Sequence, residues 1–214
     1  MAIVVIGGHS RNIGKTSVVA GLIAAIPERH WTAVKITQHP HGLCSANEEP
    51  CECATPDHSF AILEERDRSG KSDTSRFLVA GAERALWVRT REGKLADAMP
   101  ALRQAIGGAE NVIIESNSVL KFLRPDVYLT VLDYATADFK DSAKNFLDLA
   151  SAVILHDAPP DVPPAWSGVS LKSISAKPVF RVQPPRYVSG ELVKFIRARL
   201  AEKDSALPSK GTMS

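Results

Sequence analysis

A chain of 214 residues, 44% hydrophobic and 23% charged, has the makeup of a globular protein and the length for one well-buried α/β domain. A formal net charge of +2 points to neither a strongly basic nor a strongly acidic partner. Aromatic residues are only 6% and the basic ones are scattered, so a nucleic-acid partner is not expected.

Ala2 to Ile6 is a continuous apolar run, as expected of a strand buried on both faces, and it reads as a first strand and not a signal peptide. No stretch approaches the roughly 20 apolar residues of a membrane span, so the expected compartment is the cytoplasm, away from membranes. Lys15 to Ile26 has helical spacing and Trp31 to Thr37 is β-rich. Residues 38–58 are irregular and rich in cysteine and histidine. A helix is expected over Asp73–Ala82, a strand over Arg84–Arg89, and an amphipathic helix over Leu95–Ile106 that stops at Gly107 and Gly108. Asn111–Glu115, Val127–Asp133, Ala152–His156 and Pro178–Val182 read as strands. Phe139–Ala150 reads as a helix, Pro159–Trp166 as a proline-rich loop, and Ser189–Ala201 as a last helix. The alternation implies a mainly parallel central sheet with helices on both faces, three layers in all. One domain over residues 1–202, with the insertion at 38–58 and a disordered tail at 203–214, is the expected organisation.

The segment Gly7-Gly8-His9-Ser10-Arg11-Asn12-Ile13-Gly14-Lys15-Thr16-Ser17 follows a buried strand and opens a helix, the context of a Walker A phosphate loop. Backbone N–H groups of such a turn surround phosphate oxygens, and the helix dipole adds positive potential. Ser10 to Ser17 are the expected nucleotide-binding residues. Lys15 would reach the β- and γ-phosphates, and the Thr16 hydroxyl would ligate magnesium. In G-x-x-x-x-G-K-[ST] the leading glycine would fall at His9, yet glycine stands one place earlier at Gly8. Either the loop is one residue longer or His9 tolerates the turn.

Arg11 to Thr16 resembles the loop of the molybdopterin-guanine dinucleotide biosynthesis B proteins, small GTP-binding members of the signal-recognition, MinD and BioD class of P-loop proteins. Lys35-Ile36-Thr37-Gln38-His39 resembles that family's basic, histidine-rich end of the second strand. Gly70-Lys71-Ser72-Asp73-Thr74-Ser75-Arg76 with Ala80-Gly81-Ala82 resembles its Lys-Asp-(Ser/Thr) and Ala-Gly-Ala segment. The resemblance covers about the first half of the chain. It implies a nucleotide site with magnesium, a homodimer, and slow hydrolysis serving cofactor maturation with a protein partner. Where the family reads Val-Glu-Gly, this chain reads Ile114-Glu115-Ser116-Asn117.

Glu115 ends a buried strand, where α/β proteins place catalytic groups, and is a candidate to bind magnesium or orient water. Asp73 is read as a helix N-cap or, through the resemblance, with Arg76 as a group facing the phosphates or a second substrate. No Asn-Lys-x-Asp follows the late strand, which continues His156-Asp157-Ala158-Pro159, so GTP and ATP both stay open.

Cys44, Cys51 and Cys53 lie in one loop flanked by His39, His41 and His58. Thiolate and imidazole are the preferred ligands of zinc, so a tetrahedral site drawn from Cys44, Cys51, Cys53, His41 and His58 is expected. An iron–sulfur cluster and free thiols are the alternatives. Three functions follow: an accessory NTPase of molybdenum-cofactor maturation, a nucleotide-switched metallochaperone, or an ATP-dependent kinase or ligase of the dethiobiotin-synthetase type.

Overall fold

The computed structural model describes residues 1–39, 59–157 and 162–206. Eight strands form one sheet: β1 (Ala2–Gly8), β2 (Trp31–His39), β3 (Phe60–Glu64), β4 (Arg84–Arg91), β5 (Asn111–Glu115), β6 (Val127–Leu132), β7 (Ala152–His156) and β8 (Val179–Val182). Their order across the sheet is β3-β4-β2-β5-β1-β6-β7-β8, and every pairing is parallel except β3 with β4. Among the described residues five α-helices accompany it: α1 (Lys15–Ala25), α2 (Asp73–Val79), α3 (Leu95–Ile106), α4 (Asp141–Lys144) and α5 (Gly190–Ala206).

The unbroken apolar run of β1 is explained by burial on both sides. Val4 and Ile6 meet the layer formed by α1, α2 and α5, while Ile3 and Val5 meet the layer containing α3. Helix α1 inserts Val18, Val19, Leu22 and Ile23 into the first layer. It ends before Pro27, whose ring drives Ile26 out of the helical region to φ −131°. In α3, Leu95, Ala98, Met99, Leu102 and Ile106 recur at helical spacing and close the second layer against Val34, Val88 and Ile114.

Three departures from the sequence expectation have physical causes. The helix expected over Phe139–Ala150 is only α4 plus a 3-10 turn at Leu147–Leu149. Asp141, Asn145 and Asp148 punctuate this stretch with residue types that are poor helix formers. Strand β3, not anticipated, is a short edge strand whose existence depends on antiparallel pairing with β4. Helix α5 runs to Ala206, past the expected domain end at 202, and its last turn is pinned by Lys203 on Asp126 and Asp204 on Arg29. The remainder of the expected tail lies outside the described residues.

Strand order is what positions the site. β1 lies between β5 and β6, so the loop leaving β1 emerges beside the carboxyl ends of both. The register sets Glu115 opposite Ile6, and Lys35 opposite Glu115 on the other side. A carboxylate and an ammonium from two further strands are thereby brought to the foot of α1.

Candidate functional site

The loop after β1 is built as a tight cradle. Asn117 pins its entry from both sides: the Gly8 N–H donates to Asn117 Oδ1 at 2.9 Å, and Asn117 Nδ2 donates to the Gly8 carbonyl at 2.8 Å. A Cβ on Gly7 would lie 2.0 Å from Asn117 Oδ1, so this approach requires glycine. Gly14 caps α1 at φ +82°, a left-handed conformation, and a Cβ there would lie 2.0 Å from the Tyr187 ring. Asn12 also has positive φ, 57°, which asparagine tolerates better than most residues. Arg11 and Asn12 are exposed, while Ile13 is buried.

His9 answers the question its position raised. It is not among the residues with positive φ, so the displaced glycine imposes no left-handed turn there. Its imidazole is fully buried and acts as a structural bolt. The Asp133 N–H donates to Nε2 at 3.0 Å, which leaves Nδ1 as the donor to the Asp138 carbonyl at 2.7 Å. Burial lowers its pKa and favours this neutral tautomer. The ring packs 5.0 Å from Phe139 and 4.7 Å from Trp166. Next to it, Ser10 Oγ donates to the Asp138 carboxylate at 2.7 Å.

Lys15 opens α1, and its ammonium donates to the Ser10 carbonyl within the same loop. Burial pulls its pKa down to about 8, Lys140 and Lys35 push the same way, and Glu115 only partly opposes them. Partial desolvation beside two like charges is a penalty that a bound anion would relieve.

Beneath it lies a charged network. Thr16 Oγ1 donates to Glu115 Oε2 at 2.8 Å. Lys35 Nζ donates to Glu115 Oε1 at 2.7 Å, to Asp73 Oδ2, and to Thr16 Oγ1 at 3.3 Å. Burial disfavours charge on Lys35, but Glu115 and Asp73 outweigh it and raise its pKa. Arg76 donates to Ser17 Oγ at 3.0 Å, tying α2 to α1.

Asp73 is corrected as an N-cap. The cap of α2 is Ser72, whose hydroxyl accepts from the Ser75 N–H, and Asp73 in the first turn turns its carboxylate to Lys35. The structure therefore gathers Ser10, Lys15, Thr16, Ser17, Asp73 and Glu115 around the loop between β1 and α1. Cys44, Cys51, Cys53, His41 and His58 lie outside the described residues. Among the described residues no cluster of three or more histidine, cysteine or acidic residues forms a metal site. His39, the remaining flanking histidine, is buried at the end of β2. No described helix is long and apolar enough to cross a membrane.

Sequence reasoning missed Asn117, Tyr187 and Lys140 and left Lys35 without a role. Asn117 and Lys35 had a signal, since each stands in a segment compared with the family motifs. Tyr187 and Lys140 had none; each is far along the chain and reaches the loop only through the fold.

The architecture is the P-loop NTPase type of α/β fold, with an eight-stranded, mostly parallel sheet. Among solved structures, HypB from Helicobacter pylori in complex with nickel is similar at 14% identity and a TM-score of 0.50, over 95% of this chain and 87% of that one. MobB from Bacillus subtilis aligns at 14% identity and a TM-score of 0.46, over 93% of this chain and 98% of that one. LpxK from Aquifex aeolicus in complex with ATP aligns at 13% identity and a TM-score of 0.48, over 85% of this chain. This chain spans 53% of LpxK, about half its length. No protein-family model and no curated protein matches the sequence.

Proposed function

We propose that this chain binds a nucleoside triphosphate on the loop from Ser10 to Ser17 and hydrolyses it slowly, as an accessory NTPase of metal-cofactor maturation. The observation that carries the reading is the Lys15 ammonium. It is partly buried at the N-terminus of a helix, close to two further lysines as well as the opposing Glu115, and among the described residues it donates to a carbonyl of its own loop. A polyphosphate relieves each of those penalties at once.

Magnesium fits the donors below it. The Thr16 hydroxyl and the Glu115 carboxylate are hard oxygen ligands 2.8 Å apart. When bound, the ion would neutralise phosphate charge. Lys35 shares both groups, pairing with the Glu115 carboxylate at 2.7 Å and reaching the Thr16 hydroxyl at 3.3 Å. Glu115 is 5% exposed, so it is shielded from bulk water, and a carboxylate placed there suits orienting an attacking water.

The base, GTP or ATP, stays open in this proposal. The molybdopterin-guanine dinucleotide setting, a homodimer and a maturation partner rest on the motif resemblance. Zinc on Cys44, Cys51, Cys53, His41 and His58 rests on ligand chemistry alone, as does the metal-carrying alternative.

Binding of ATP, GTP and their diphosphates by titration calorimetry, with Lys15→Ala as control, tests the reading. Micromolar or tighter binding of a triphosphate with magnesium, lost in Lys15→Ala, is expected. Absence of binding to all four overturns it.

A further inference from the structure

A second lysine is carried to the phosphate loop from the segment between β6 and α4, and the proposed function leaves it unused. The segment is stitched to the loop along its length. The His9 N–H donates to the Val131 carbonyl at 3.2 Å, the Asp133 N–H donates to His9 Nε2, and His9 Nδ1 donates to the Asp138 carbonyl. Ser10 Oγ donates to the Asp138 carboxylate, and the Lys140 N–H donates to the His9 carbonyl at 2.8 Å. The His9 ring packs against Phe139 and Trp166, which also meet each other edge to face. These contacts leave the backbone of Lys140 little freedom relative to the loop that bears Ser10 and Lys15.

The side chain of Lys140 is half-buried, and its ammonium makes no hydrogen bond or ion pair among the described residues. Burial lowers its pKa, Arg11 and Lys35 push the same way, and the carboxylates of Asp138 and Glu115 only partly oppose them. Lys15 in turn registers Lys140 as its strongest cationic neighbour. Four cations, Arg11, Lys15, Lys35 and Lys140, thus converge on one loop. Lys35 has two carboxylates and Lys15 a carbonyl; Lys140 has no such partner.

We propose that Lys140 is a phosphate-contacting residue of this site, a cation supplied in cis from the β6–α4 segment and held in reach of the polyphosphate by its backbone bond to His9. The inference rests on the nucleotide-binding reading above and adds a group that no Walker A pattern includes. A lysine there supplies charge to the polyphosphate without a partner protein. The His9 and Asp138 contacts position it.

Substitution at Lys140 leaves the latch intact, because the bond to His9 comes from the backbone N–H. Lys140→Ala, Lys140→Arg and Lys140→Glu are compared with wild type and with Lys15→Ala. Magnesium-nucleotide affinity is measured for the di- and triphosphates at two salt concentrations, with thermal melts to confirm folding. Lys140→Ala is expected to weaken triphosphate binding about tenfold or more, as one charge-assisted hydrogen bond of about 1.5–3 kcal/mol predicts. Lys140→Glu loses more, Lys140→Arg recovers most of the affinity, and the salt dependence of Lys140→Ala is shallower. Wild-type affinity in Lys140→Ala, alongside loss in Lys15→Ala, overturns the role of Lys140 and leaves the nucleotide site standing. Wild type that binds no nucleotide overturns both.

Discussion

Replacing Lys15 by methionine is expected to stabilise the nucleotide-free protein while abolishing its ligand. Burial and the neighbouring Lys140 and Lys35 take the pKa of Lys15 from 10.5 to about 8. At about 1.4 kcal/mol per unit, keeping that ammonium charged in the folded state costs roughly 3 kcal/mol. Methionine keeps the unbranched apolar stem and removes the charge, but it also gives up the bond to the Ser10 carbonyl, worth about 1 kcal/mol. The net gain at pH 7 is about 1–2 kcal/mol, or roughly 2–8 °C in melting temperature for a domain of this size. Between pH 8 and 10.5 the unfolded wild type holds a proton on this lysine that the folded form has shed. Wild-type stability therefore rises relative to the variant across that window, and the gap closes toward pH 10. Melts by circular dichroism at pH 7 and pH 10 read both effects. A variant that melts below wild type at pH 7, or a gap that does not change with pH, refutes the view of a charge held against its burial. With a triphosphate present the order reverses, because only wild type gains from the ligand.

Gly14→Ala forces a side chain into a left-handed position and 2.0 Å from the Tyr187 ring, and should cost about 2 kcal/mol or more. Adding Tyr187→Ala should return only the steric part. A Gly14→Ala protein that melts with wild type would show that the turn is not strained there. Elemental analysis of purified protein is expected to find zinc, reduced in Cys51→Ser, and unchanged metal content in that variant counts against the thiolate site.

Much of the fold was legible because it depends on local pattern. The bounds of α3 and β5 coincide with the expected Leu95–Ile106 and Asn111–Glu115, since an amphipathic repeat and a doubly buried run are each complete within their own segment. Edge strand β3 was not legible, because Phe60–Glu64 becomes a strand only when β4 supplies its hydrogen bonds. The helix expected at Phe139–Ala150 failed for the opposite reason. Its apolar residues Phe139, Ala143 and Leu147 do reach the core beside Trp166, but polar breakers leave only one short α-helical turn between them.

The glycine, lysine and threonine at positions 14–16 were enough, with a strand before and a helix after, to mark the loop proposed to bind phosphate. That much is determined by the sequence alone, because the loop's own backbone supplies the donors. What surrounds the loop was decided by the tertiary structure. Strand order puts Glu115 and Lys35 side by side across β5 and β2, 80 residues apart in the chain. The packing of His9 against Asp133, Asp138 and Trp166 carries Lys140 to the same place. No local pattern records such approaches. Their free energy comes from burial and pairing between segments that meet only once the sheet has formed.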